Sequence, residues 1–160
     1  MNWIIRSNKR MLYHTYLDLI LEPIKHQIDG YNWIVSDIEM YSNIVTDPPI
    51  DMETDYNILS PSEFKRLVDC KVQFWWGVFL AVPISQEVIL NESNMPYSEF
   101  NKLVWKNGNI QYPGAEIEII CWDSSCTIVK FSSEILSNKF KAYFDGATPL
   151  EKFDYNKLYK

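Results

Sequence analysis

The stretch Phe74-Trp75-Trp76-Gly77-Val78-Phe79-Leu80-Ala81-Val82 contains no charged side chain and is apolar on both faces of an extended chain. A strand with one face in water alternates apolar and polar residues, whereas a strand covered on both faces is a continuous apolar run. The stretch therefore predicts a central, doubly covered strand within residues 71–84. Gly77 lies in its middle, where a missing side chain allows a ring or another backbone to approach closely.

The size and composition of the chain indicate one domain. Its 160 residues are enough to bury about two thirds of the unfolded surface. Hydrophobic residues make up 47% and aromatic residues 15%, which argues against disorder. The longest apolar run has about ten residues, whereas a helix that spans a bilayer needs roughly 20. The N-terminus also lacks the pattern of a secretory signal. We therefore expect a single-domain protein of the cytoplasm, spanning residues 1–160.

Local signals on either side of the central strand alternate between helix and strand. Ser60-Pro61-Ser62-Glu63 combines a serine cap, a proline at the first helical position and a glutamate at the third, which predicts a helix over residues 61–69. Further helices are expected over residues 12–24, 96–104 and 132–144, the first ended or kinked by Pro23. Strands are expected over residues 3–6, 31–41, 115–122 and 126–131, and the tail, 148–160, should pack back on the body. The sum is an α+β domain with a mostly antiparallel β-sheet and helices packed on its faces.

The cysteines are odd in number, which favours reduced, buried thiols in a chain without an export signal. They are Cys70, Cys121 and Cys126. Cys121 and Cys126 flank a tight turn, so a disulfide across the hairpin remains open. A zinc site is not expected, because there is no Cys-x-x-Cys and His14 and His26 lie far from the cysteines in sequence.

Two carboxylates on the predicted hairpin offer a catalytic alternative. Glu116 and Glu118 alternate with isoleucines, so both are expected on one face of a strand. Together with Asp123 they would suit general acid–base chemistry or metal-assisted hydrolysis. The simpler interpretation is a half-exposed strand whose polar face meets water. A small metal-dependent hydrolase is therefore an alternative function, and an orphan domain that binds a ligand in an aromatic pocket is another.

Residues 26–63 contain no lysine or arginine, although the net charge of the whole chain is only -6. The remainder of the chain carries 15 basic and 13 acidic residues and is nearly balanced. A one-signed surface repels nucleic acid and anionic membranes and attracts basic partners. The acidic residues of this stretch are Asp29, Asp37, Glu39, Asp47, Asp51, Glu53, Asp55 and Glu63.

Local structure explains only part of this acidity, since Glu63 is a helix cap and Asp29 belongs to a turn. The rest lies at a strand end and on a loop over residues 43–59, which is long for a compact domain. Its simplest role is to keep the protein in solution. The sharper prediction is a docking surface for a cationic protein, in which aromatic neighbours supply anchoring contacts. The candidate partner-binding residues are Asp37, Glu39, Tyr41, Asp47, Asp51, Glu53, Asp55 and Tyr56. No cofactor is expected, because the chain has no glycine-rich phosphate loop.

Two sets of short segments resemble known groups of bacterial proteins. Leu21-Glu22-Pro23-Ile24 followed by Tyr31-Asn32-Trp33 resembles the opening of a family of small uncharacterised bacterial proteins. Trp75-Trp76-Gly77-Val78-Phe79 and the stretch over residues 116–125 resemble small acidic proteins encoded beside bacterial toxins, including immunity proteins of contact-dependent inhibition systems. The resemblance covers about a quarter of the chain. It implies a cytoplasmic, non-enzymatic inhibitor of a toxin domain, often a nuclease with a basic cleft, and it assigns no role to any residue.

Overall fold

The computed structural model describes residues 1–7, 14–41 and 47–158. The strands in these ranges are β1 (Asn2–Ile5), β2 (Tyr31–Tyr41), β3 (Tyr56–Leu59), β4 (Gln73–Pro83), β5 (Ile117–Trp122), β6 (Cys126–Phe131) and β7 (Thr148–Pro149). The α-helices are α1 (Leu17–Leu21), α2 (Pro61–Asp69) and α3 (Glu134–Tyr143). All seven strands join one antiparallel sheet in the order β3-β2-β4-β5-β6-β1-β7. The predicted α+β class and the antiparallel sheet are confirmed.

Strand β4 is covered on both faces from Gly77 to Val82, as its apolar run predicts, whereas Trp75 near its start is 44% exposed. It pairs with β2 on one side and β5 on the other. Phe79 and Ala81 belong to one buried cluster, whereas Val78 and Leu80 belong to a second cluster across the sheet. A Cβ atom at Gly77 would lie 3.0 Å from the Ile38 side chain and 3.0 Å from the Phe79 ring. The close approach expected at this glycine is therefore present.

All three helices pack on the same face of the sheet. Ile20 of α1, Phe64 of α2 and Phe140 of α3 are fully buried there with side chains of the sheet. The Trp33 ring of β2 stacks on Phe64 with a centroid separation of 3.8 Å. Burial of one such large apolar side chain stabilises a fold by roughly 1.5–3 kcal/mol. This face is therefore a conventional apolar core, and we call it the helical face.

The other face is covered by irregular chain rather than by α-helices. Residues 84–115 and the C-terminal tail lie over it, with 3-10 turns at Lys102–Trp105, Leu150–Lys152 and Tyr155–Lys157. Trp105 of this layer packs against Trp122 with ring centroids 4.8 Å apart and stacks on Tyr155 at 5.1 Å. The tail thus packs back on the body as far as residue 158, as expected, and residues 159–160 of that prediction lie outside the described residues. We call this face the irregular face.

The helix predicted from Ser60 onward is confirmed, including its cap. The Ser60 hydroxyl accepts a hydrogen bond from the backbone N–H of Glu63, and the Glu63 carboxylate accepts one from the backbone N–H of Ser60 at 2.8 Å. The Ser60 hydroxyl also donates to the Glu63 carboxylate at 2.6 Å, and this bond together with the one from the Ser60 backbone N–H lowers the pKa of the Glu63 carboxyl. The hairpin of β5 and β6, strand β2 and the last helix also lie where the sequence predicts them.

Three expected elements differ from the structure. The loop predicted over residues 43–59 is shorter than expected, because Tyr56–Leu59 pairs with β2 as an edge strand. The helix predicted over residues 96–104 is wrong, since only Lys102–Trp105 is helical and is a 3-10 turn. The helix predicted over residues 12–24 is shorter, with α1 ending at Leu21 before a 3-10 turn, Glu22–Ile24, that contains Pro23. Residues 12–13 and 43–46 of these predictions lie outside the described residues.

No helix within the described ranges is long and apolar enough to cross a membrane.

Candidate functional site

The acidic loop that precedes β3 is held in shape by its own polar groups. The Asp51 carboxylate accepts a hydrogen bond from the backbone N–H of Glu53 at 2.9 Å. The Asn57 side chain accepts from the Asp51 N–H at 2.8 Å and donates to the Asp51 carbonyl at 3.0 Å. The Thr54 hydroxyl bonds the Asp51 carbonyl as well, at 3.0 Å. Asp51 is therefore a structural centre of the loop, and one oxygen of its exposed carboxylate is engaged within that loop.

Beyond Asp51, this loop forms one wall of an open groove. The first wall consists of residues 53–56 and the opposite wall of residues 90–93, and we call the space between them the acidic groove. The Tyr56 hydroxyl closes its floor by donating a hydrogen bond to the Leu90 carbonyl at 3.4 Å. Tyr56 pairs with Ser36, so the two side chains lie on the same face of the sheet. Ile34, two residues from Ser36 on β2, also lies on that face and belongs to the cluster beneath the irregular layer. The groove therefore lies at the edge of the irregular face.

The second wall is also built locally. The Asn94 side chain accepts from the Asn91 N–H at 2.7 Å and donates to the Ile89 carbonyl at 3.1 Å. The Asn91 carboxamide oxygen in turn accepts from the backbone N–H of Ser93 at 2.9 Å. Reciprocal bonds of this kind set the backbone of a short loop without a helix or a strand. The groove therefore has two ordered walls.

The residues that line the acidic groove include acidic side chains and no basic ones. Glu53, Asp55 and Glu92 are exposed on its walls, and no lysine, arginine or histidine lines it. The walls come from two cation-free segments, residues 26–63 and residues 72–101. The basic residues between these segments lie on or just after α2, which packs on the helical face. None of these cations lines the groove, so its lining carries a negative charge.

The structure gathers only some of the predicted partner-binding residues. Glu53, Asp55 and Tyr56 line the acidic groove, and Asp51 supports it. Asp37 lies on β2, where its carboxylate accepts hydrogen bonds from the backbone N–H groups of Ser98 at 2.7 Å and Glu99 at 3.2 Å. That carboxylate therefore serves the fold. A role of these residues in partner binding stays a prediction.

The remaining predicted partner-binding residues lie outside the acidic groove, on β2 or before the acidic loop. Glu39 is exposed on β2, and Asp47 is exposed before the loop. Tyr41, at the end of β2, is half exposed and stacks on Trp75 of β4 with ring centroids 6.2 Å apart and planes at 2°. They are not part of the acidic groove.

Glu92 and the other residues of the second wall were not among the predicted partner-binding residues. The signal for them is the second cation-free segment, residues 72–101, which contains Glu87, Glu92 and Glu99 and no basic residue. That segment has fewer acidic residues than the first and begins with the apolar central strand, so its lack of cations is less conspicuous in the sequence. Only the fold brings its loop against β3.

The alternative carboxylate site is not assembled. Glu118 is fully buried and forms an ion pair with Lys130 at 2.8 Å. Glu116 accepts a hydrogen bond from the Tyr31 hydroxyl at 2.7 Å, and burial together with this bond raises the pKa of Tyr31. Asp123 is exposed in the hairpin turn. The expectation that Glu116 and Glu118 share a wet strand face is wrong, because the irregular layer covers Glu118. Within the described ranges, no three histidine, cysteine or acidic side chains are grouped to hold a metal ion.

The cysteines of the hairpin point to opposite faces of the sheet. Cys121 is buried in the cluster beneath the helices, and Cys126 is buried in the cluster beneath the irregular layer. Because the sheet lies between the two sulfur atoms, the disulfide that the sequence left open does not form. All three thiols, including that of Cys70, are free.

Comparison of the chain with protein-family models, with curated proteins and with solved structures finds no match.

Proposed function

We propose that this chain is a non-enzymatic binding protein that neutralises a basic protein partner, and specifically an immunity protein that inhibits a bacterial toxin nuclease in the cytoplasm. The observation that carries the proposal is the acidic groove. Glu53, Asp55 and Glu92 lie on two ordered walls at one edge of the sheet, with no basic residue among the lining residues.

A nuclease binds the phosphates of its substrate with lysine and arginine side chains. An acidic surface is the electrostatic counterpart of such a cleft, so it would attract the enzyme at long range and compete for the groups that hold nucleic acid. Steering of this kind raises association rates by roughly 10- to 1,000-fold and weakens as salt screens the charges. An inhibitor benefits directly, because it must reach the toxin before the toxin reaches nucleic acid.

The ordered walls support a binding role over a purely solubilising one. A loop that only keeps a protein in solution needs charge but no defined shape. Here Asp51 and Asn57 set the first wall, and Asn91 and Asn94 set the second. Such preorganisation reduces the entropy that is lost when a partner immobilises these segments.

The test uses the protein encoded immediately upstream of this chain as the probe. The triple variant Glu53→Lys, Asp55→Lys and Glu92→Lys should slow association by about 10-fold or more in stopped-flow measurements at low salt. It should also lose most of the salt dependence of association and fail to protect cells that express the probe. Asp51 is left in place, because replacing it would disturb the loop itself.

The matched control is the triple variant Asp69→Lys, Glu134→Lys and Asp145→Lys. It changes the net charge equally but lies away from the acidic groove, at exposed positions on or near the helices. It should keep most of the association rate. Equal slowing in the two variants would show that net charge acts rather than the groove. Absence of any binding between the wild type and the probe would contradict the proposed function.

A further inference from the structure

Phe100 combines an exposed side chain with an unfavourable backbone φ angle. Its side chain is 89% exposed, the largest fraction of any large hydrophobic residue in the described ranges. Its φ of 59° lies in the left-handed region, which bulky side chains rarely adopt. Each feature is unfavourable alone, and such outliers persist only where the surrounding structure enforces them, commonly at binding sites.

Hydrogen bonds define this turn from its C-terminal side. The backbone N–H of Asn101 donates to the Ser98 carbonyl at 3.0 Å and closes the turn over Glu99 and Phe100. The Asn101 carboxamide donates to the Tyr97 carbonyl at 3.0 Å, and Asn101 is only 6% exposed. We call residues 98–101 the Phe100 turn. Its conformation is set by buried polar groups, and Phe100 itself does not contribute to them.

Asp37 fixes the same turn to the sheet. One oxygen of its carboxylate accepts from the N–H and the hydroxyl of Ser98 and from the N–H of Glu99. Asp37 lies at an irregularity in the β2–β4 register, between Ser36 and Glu39, and it also has a positive φ of 53°. A left-handed residue of β2 thus holds a left-handed turn of the irregular layer. Hydrogen bonds of its neighbours Ser98, Glu99 and Asn101 therefore fix the backbone that carries Phe100.

The Phe100 turn and the acidic groove belong to one surface. The Ser36 hydroxyl donates to the Pro96 carbonyl at 2.7 Å, while Tyr56, the register partner of Ser36, contacts Leu90 across the groove. The segment from Leu90 to Ser98 therefore runs along the β2–β3 edge from the groove to the turn. Residues 72–101 contain no lysine or arginine, and the first cation that follows is Lys102.

We propose that Phe100 is the apolar anchor of this surface and inserts into an apolar pocket, bordered by lysine or arginine, on the protein partner. Tyr97 and Leu103 widen the apolar contact, since each is about half exposed on the same loop. Binding energy at interfaces concentrates in a few such anchors, and charged residues around them act on specificity and on association. A second copy of this chain is not the expected occupant, because it would bring the same acidic groove, with the exposed Lys102 the nearest cation in the sequence. The proposal deepens the proposed function and rests on it.

The test combines stability with binding for the variant Phe100→Gly. Glycine adopts the left-handed region without strain, so its melting temperature should equal or exceed that of the wild type, by up to ~2–4 °C. The Kd for the upstream-encoded protein should nevertheless rise by about 30-fold or more, and dissociation should account for most of the change. Phe100→Asn, which also tolerates the left-handed region, should lose binding equally and exclude added loop flexibility as the cause. Ile135→Ala removes another exposed apolar side chain, 71% exposed on α3, and should bind normally.

Each other outcome overturns the proposal in a recognisable way. Unchanged binding by Phe100→Gly, together with slowed association in the groove variant, would reject the anchor and leave the proposed function in place. A fall in the melting temperature that parallels the loss of binding would assign Phe100 a structural role. Dimerisation of the wild type in sedimentation velocity that Phe100→Gly abolishes would identify a second copy as the occupant. No binding of the probe by the wild type would overturn the anchor and the proposed function together.

Discussion

Glu118 and Lys130 face each other across the β5–β6 pair, with the Lys130 Nζ 2.8 Å from a Glu118 oxygen and neither side chain exposed. Lys130 also donates to the Asn109 carbonyl at 2.8 Å, and the other Glu118 oxygen accepts from the Gln111 N–H at 3.3 Å. The pair therefore connects the irregular layer to the centre of the sheet. Burial lowers the pKa of Lys130, and the adjacent Glu118 carboxylate opposes that shift.

Removing one partner of this pair should destabilise the protein severely. Glu118→Ala or Lys130→Ala leaves an uncompensated buried charge, and we expect each to lower the free energy of unfolding by about 3–5 kcal/mol. The double variant Glu118→Leu with Lys130→Met should lose much less than the sum, because it leaves neither charge buried. Urea unfolding measures all three. Lys139→Ala, at an exposed position of α3, is the control, and losses no larger than its own would refute the prediction.

His14 should make the protein less stable in mild acid. It is 3% exposed, with Nε2 3.2 Å from the Ser124 carbonyl and Nδ1 3.1 Å from the Thr127 hydroxyl. Nε2 donates to the Ser124 carbonyl, and the Thr127 hydroxyl donates to the His14 backbone carbonyl at 2.7 Å. Burial lowers the pKa of His14 below its usual value of 6.5, more than the Ser124 carbonyl raises it.

The sign of the effect follows from proton binding. Below about pH 6.5 the unfolded chain binds a proton at this histidine that the folded chain resists, so the free energy of unfolding should fall from pH 7 to pH 5. The slope from one such group is at most about 1.4 kcal/mol per pH unit. His14→Gln should flatten this part of the profile, whereas His26→Gln, at an exposed position, should keep it. An equally steep profile in His14→Gln would count against the assignment.

The thiols should differ in reactivity, and Cys121 and Cys126 should not pair. Burial raises the pKa of Cys126 to about 12 and raises that of Cys121 as well, so neither forms a reactive thiolate at pH 8. Iodoacetamide at pH 8 should therefore modify the partly exposed Cys70 first and the other two only after unfolding. Mass spectrometry of the oxidised, unreduced protein should show three free thiols. A mass loss of two hydrogens within one chain would contradict the geometry of the sheet.

Asp51 and Glu53 should differ in their effect on the acidic loop. Asp51→Ala removes the acceptor of the Glu53 N–H, and we expect a loss of about 1 kcal/mol of local stability. Amide hydrogen exchange at Glu53 should accelerate accordingly. Glu53→Ala should leave the exchange of neighbouring amides and the melting temperature nearly unchanged, because its side chain is exposed. Equal protection of the Glu53 amide in wild type and Asp51→Ala would mean that Asp51 does not hold the loop.

The sequence was informative where the deciding interactions are local or where one period dominates. The cap of α2 joins residues three positions apart, and the central strand is marked by an unbroken apolar run. It failed where polar groups find distant partners. The helix predicted over residues 96–104 does not form, because Ser98 bonds Asp37 and Asn101 bonds Gln111 instead. Glu118 has the sequence pattern of a surface carboxylate, but in the structure it is covered by the irregular layer and paired with Lys130.

The amino-acid sequence by itself determined the α+β class, the core strand, the position of α2 and the existence of a cation-free acidic segment, because these depend on composition, periodicity and neighbouring residues. The tertiary structure decided which carboxylates are consumed by the fold and which face solvent. It joined Glu53 and Asp55 to Glu92, and it set Phe100 on its turn. Those arrangements depend on contacts between residues far apart in the sequence, such as Asp37 with Ser98, 61 positions apart, and Tyr56 with Leu90, 34 positions apart. The local sequence pattern does not specify such pairings, because they arise only when the sheet brings distant segments together.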